Sequence, residues 1–131
     1  MAVIELVRKC RGGRVSGIKS DLRVYATHEK RQKHRFSVGI RVSESVMKRL
    51  RWIVGDLVRA SFDDTDREWS LRRVSDSTGN RLSGQGRKDG AGTVRFACEK
   101  GDLYSLGLDG DSGYDCRFVS CDGEVAVFRA E

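Results

Sequence analysis

The strongest chemical bias in this chain lies in one polar connection, His28-Glu-Lys-Arg-Gln-Lys-His-Arg35, which crowds Lys30, Arg31, Lys33 and Arg35 together. Arg23 precedes it and Arg41 follows it, each in a stretch that alternates apolar and polar residues. Cations grouped this way neutralise phosphates, and the planar fork of Arg can bond two acceptors on a base edge. The bland alternative is a solvated loop tip. Catalysis finds less support: His28 and His34 both sit inside this connection, without a nucleophile at a matched spacing. No Gly-X-Ser-X-Gly, His-Glu-X-X-His or phosphate-binding glycine motif occurs. Cys10, Cys98, Cys116 and Cys121 are irregularly spaced, and no Cys or His pair completes a zinc site. Asp109-Gly-Asp-Ser-Gly113 lacks the later acidic ligands of a calcium loop and reads as a turn, as does Asp63-Asp-Thr-Asp66. Neither an enzyme nor a metal or cofactor is expected.

The charge is uneven along the chain. The net is +6 and the pI about 9.4, yet residues 1–35 carry a surplus of +7 while residues 98–131 carry −5. A basic front and an acidic back fit a face for polyanions better than uniform stickiness. No apolar run is long enough to span a bilayer, and the first residues lack the pattern of a secretory signal. A reduced, cytoplasmic setting is the expectation.

The elements that position the cations follow from periodicity. Leu22–Ala26 and Phe36–Val42 alternate at period two and read as strands. Ser43–Leu50 reads as one short helix, capped by Ser43 or Ser45, with Val46, Met47 and Leu50 on its apolar stripe. Gly55-Asp56 makes a turn, and Leu57–Phe62 with Glu68–Val74 forms a hairpin. Asp76–Gly92 is Gly-rich and nearly devoid of apolar residues, hence a linker. Beyond it, Thr93–Cys98, Leu103–Leu108, Cys116–Cys121 and Glu124–Arg129 all read as strands, the last two joined by an Asp122-Gly123 hairpin turn. The resulting domain map is an N-terminal arm or edge strand (1–19), a first module (20–75), a linker (76–92) and a second β-rich, acidic module (93–131). Arg35-Phe-Ser-Val38 faintly repeats in Arg95-Phe-Ala-Cys98. Trp52 and Trp69 read as core anchors, and Cys116 and Cys121 as small packing side chains.

The segment Ile40-Arg-Val-Ser-Glu-Ser-Val-Met-Lys-Arg-Leu-Arg-Trp-Ile-Val-Gly-Asp56 resembles the signature of the AbrB/MazE/SpoVT family of swapped-hairpin DNA-binding domains. A strand of alternating apolar residues leads to a short helix ending in leucine, an apolar step, then Gly-Asp and a hairpin. Ser43 stands where that family has proline, and Arg51 where it has the glycine that ends the helix. A residue there can end the helix without turning left-handed. The resemblance implies a mostly β fold with one short helix: a small swapped-hairpin-type barrel, here with a second β-rich module. It also implies a DNA-binding transcriptional regulator whose basic hairpin contacts duplex DNA through Arg23, Lys30, Arg31, Lys33, Arg35 and Arg41. Two copies interleave in that family, and a first module of this size has a marginal core by itself. A homodimer is therefore expected, with residues 93–131 capping the barrel or pairing with the first module inside one chain. The competing function is a protein-interaction module, antitoxin-like or a small inhibitor, that engages a protein partner through its acidic C-terminal half.

Overall fold

A computed structural model describes residues 20–29, 35–84 and 90–131. Eight strands and two short helices follow one another in these segments. They are β1 (Leu22–His28), β2 (Arg35–Val42), α1 (Glu44–Leu50), β3 (Leu57–Asp63), β4 (Glu68–Val74), β5 (Asn80–Arg81), β6 (Gly92–Glu99), α2 (Lys100–Ser105), β7 (Gly113–Asp122) and β8 (Val125–Ala130). The expected arm or edge strand at 1–19 lies outside the described residues.

All eight strands join one antiparallel sheet in the order β5-β3-β4-β8-β7-β1-β2-β6. Just past β5, Ser83 bridges Thr93 of β6 through two N–H···O bonds of 2.8 Å, so the two ends of the sheet meet and it nearly closes into a barrel. Closure is short: beyond Val58 of β3 and Thr93 of β6, no described strand pairs with the outer edge, so closure covers only part of the edges an open sheet would offer to other chains. Alternation sends Leu22 and Val24 of β1, Val38 and Ile40 of β2, Trp69 and Leu71 of β4 and Phe128 of β8 into the interior. There the Trp69 indole donates to the Tyr114 hydroxyl (2.8 Å), which donates to the Leu106 carbonyl (2.5 Å). Trp52 is buried as well, so both tryptophans anchor the core.

The sequence modules are interleaved in space. β7 pairs with β1, β6 with β2 and β8 with β4, so strands from 93–131 supply the surface that the first module lacks. The faint repeat has a spatial meaning, since Arg35–Val38 and Arg95–Cys98 run antiparallel side by side, Phe36 opposite Cys98 and Val38 opposite Phe96.

Four expectations are corrected. Leu103–Leu108 is not a strand: Lys100–Ser105 is the helix α2, with Leu103 and Leu108 buried and Gly107 at φ +79 just beyond its end. A glycine past the last turn is a helix stop, and the strand reading of Leu103–Leu108 runs straight through it. The stretch taken as a linker is in part barrel wall, because its lone leucine, Leu82, is fully buried and Asn80–Arg81 pairs with β3. Arg51 is left-handed after all (φ 61) and closes α1 by donating its N–H to Lys48 and Met47. The β7–β8 turn is Gly123-Glu124, one residue later than expected, since Asp122 pairs with Val125. At the start of α1 the expected cap is present: Ser43 Oγ accepts from the Val46 N–H at 3.3 Å.

Candidate nucleic-acid interface

Each of the three main hairpins carries two arginines directly opposite one another, Arg23 with Arg41, Arg59 with Arg72, and Arg117 with Arg129. In every case the sequence neighbours on at least one side point into the core, which turns the arginines outward. Like charges facing each other across a ladder destabilise a sheet. The barrel therefore concentrates positive charge where folding alone would disperse it.

The wall formed by β1, β2 and β6 holds the richest arrangement. Arg23 and Arg41 face each other near one end, with Arg41 in turn opposite Thr93. One row along, Tyr25 stands opposite Gly39, and Gly39 opposite Arg95. A Cβ on Gly39 would lie 2.5 Å from the Tyr25 hydroxyl and 2.8 Å from its Cε2, so only glycine lets the tyrosine ring lie across the strand. Arg95 covers that ring with its guanidinium carbon 5.5 Å from the centroid, and donates to the Tyr25 hydroxyl (3.1 Å) and to Ser37 Oγ (3.3 Å). The product is a flat outer surface of guanidinium, phenol and hydroxyl groups that can meet phosphates and sugars.

Of the residues singled out from sequence, Arg23 and Arg41 are brought together here. Arg35 is not: it lies at the far end of β2, six residues or about 20 Å from Arg41. It stands opposite Glu99 and lines a hollow of about 530 Å³ beside α2 that also holds Asp102, so two carboxylates share its surroundings. Lys30, Arg31 and Lys33 lie outside the described residues. Arg95 and Tyr25 were missed, because a charge count along the chain weighs only local crowding. The repeated Arg-Phe pair at 35 and 95 was the signal that could have found Arg95.

Three of the eight acidic residues in 98–131 are engaged by the chain itself. Asp115 Oδ1 is 2.9 Å from Arg23 Nη1, an exposed pair. Glu124 accepts from Arg73 Nε at 2.6 Å, a contact that holds its carboxyl below the usual range and raises the arginine in turn. Asp111 accepts from the His28 N–H at 2.6 Å. Nucleophilic chemistry has no foothold in the buried thiols: burial pushes Cys116 up to about 12 and raises Cys98 as well. Among the described residues no three His, Cys, Asp or Glu side chains converge as metal ligands, and no helix is long and apolar enough to cross a membrane. Comparison with protein-family models, with curated proteins and with solved structures returns no match for this chain.

Proposed function

We propose that this protein binds duplex DNA as a cytoplasmic transcriptional regulator, with the outer wall of β1, β2 and β6 as its contact surface. The observation that carries the reading is the opposed pair Arg23 and Arg41 beside the Arg95–Tyr25–Ser37 cluster on that wall. Arg23 and Arg41 are the phosphate contacts, and Arg95, braced by two hydroxyls, is the side chain best held for a base edge. The connection between β1 and β2 adds Lys30, Arg31 and Lys33 by sequence. The order of hairpin, short helix, Gly-Asp turn and hairpin keeps the resemblance to swapped-hairpin DNA-binding domains as further support. In this reading strands β6, β7 and β8 take the place of a second copy's strands, and a homodimer is not needed to complete the sheet.

The test is fluorescence anisotropy of a labelled duplex with Arg41→Gln, Arg95→Gln and Arg117→Gln. The first two weaken binding by about 1–3 kcal/mol each, and the Arg95 change relaxes sequence preference. Arg117→Gln, on β7, leaves binding nearly unchanged. Equal losses from all three would mean that this wall is not the reader.

A further inference from the structure

A second arginine pair lies on the other side of the barrel. The β3–β4 hairpin is separated from the β1–β2 hairpin by two strands in each direction round the sheet, β8 and β7 one way and β5 and β6 the other. Its outward face carries Arg59 opposite Arg72 and, in the next outward row, Ser61 opposite Ser70. With Ala60 and Val125 these residues line an open groove of about 540 Å³. Arg81 on β5 stands opposite Leu57, diagonally next to Arg59.

The groove differs from the other two arginine pairs in how its charge is met. Arg23 has Asp115 and Arg129 has Glu68, whereas none of Arg59, Arg72 and Arg81 is ion-paired among the described residues. Arg59 donates to Thr78 Oγ1 at 3.1 Å, and Thr78 donates its N–H and hydroxyl to Asp76, whose carboxylate acts on Arg59 at longer range without forming an ion pair with it. Cross-strand partners hold their Cβ atoms roughly 5 Å apart, so two guanidiniums can close on one tetrahedral anion. The two serine hydroxyls lie about 7 Å further along the strands, close enough for a phosphodiester's neighbouring oxygens.

We propose that this groove is a second phosphate site that takes the backbone of another nucleic-acid segment, so that one chain bridges two duplexes. The proposal rests on the nucleic-acid reading above. It gives a use to an arginine pair that is unfavourable in the protein alone.

The experiment measures energy transfer between donor-labelled and acceptor-labelled short duplexes mixed with the full chain, and compares it with the double variant Arg59→Gln/Arg72→Gln. Removing an unfavourable like-charge pair from an exposed face leaves the fold intact. The expected result is transfer with the unaltered chain, a bridging signal reduced about tenfold or more in the double variant, and unchanged affinity for one duplex at limiting DNA. A chain that binds one duplex but shows no transfer overturns the second site. So does a double variant that bridges normally, as a dimer with one site per chain would. If the unaltered chain binds no duplex, the reading under Proposed function fails instead. Titration with inorganic phosphate then judges the groove alone: shifts of the Ser61 and Ser70 amides that vanish in the double variant sustain a phosphate site, and their absence overturns it.

Discussion

Replacing Asp115 with Asn removes the carboxylate that sits 2.9 Å from Arg23 on the proposed DNA-facing wall. Both side chains are 48% exposed, so losing the pair costs the fold less than about 1 kcal/mol. Its effect on DNA binding is opposite in sign and of similar size. A phosphate held by Arg23 would lie about 7 Å from that carboxylate, a repulsion of about 0.6 kcal/mol at the dielectric of water and about 1.2 kcal/mol if the effective dielectric halves. Asp115→Asn should therefore tighten duplex binding by about threefold to about eightfold at low salt. Freeing Arg23 for a phosphate should also steepen the dependence of log K on log salt by about 0.9. Anisotropy titrations at several salt concentrations read both quantities. Unchanged affinity and slope would place Arg23 away from the DNA and remove one of the two phosphate contacts named here.

Three further outcomes test the fold that holds this wall. Leu82→Ala should cost about 3–5 kcal/mol in urea unfolding, because Leu82 is fully buried where barrel closure depends on it; a loss below about 0.5 kcal/mol would return this stretch to a linker. Arg51→Gly should stabilise by about 0.5–1 kcal/mol while Arg51→Ala does not, since only glycine takes φ 61 without a steric penalty; equal stabilities would refute the left-handed end of α1. Burial raises Cys116 from 9.0 to about 12 and Tyr114 from 10.0 to about 12. The unfolded chain sheds these protons first, so their contribution to stability is full below about pH 9 and is lost as pH rises towards 12. The urea midpoint should fall across that window, and iodoacetamide at mildly alkaline pH should label exposed Cys121 but not Cys116 until the protein unfolds; a flat midpoint or ready labelling of Cys116 would contradict the buried assignment.

Local pattern made much of this architecture legible. Alternation at Leu22–Ala26, Phe36–Val42 and the β3–β4 hairpin reports which face of a strand is buried, and Ser43 announces its helix by supplying an acceptor for an orphan N–H. Partners across the sheet were not legible, because period two marks a face and says nothing of which strand lies alongside. The pairings β1–β7, β2–β6 and β4–β8 join residues far apart in sequence, and they turn two sequence modules into one barrel. Asp76–Gly92 misled because its composition is that of a linker, yet one buried leucine and a few ladder bonds suffice to place part of it in a wall. The candidate site divides the same way. Arg23 and Arg41 stand out as cations on alternating strands, while Arg95 becomes visible only once β6 is known to lie beside β2.

The central claim is that this barrel meets DNA through phosphate-neutralising cations, and the salt dependence of duplex binding tests it most directly. With about five phosphates contacted, log K should fall with log salt at a slope of about −4 to −5. A chain that leaves duplex DNA unbound even at about 50 mM salt, or binds it with a slope near zero, would contradict the account.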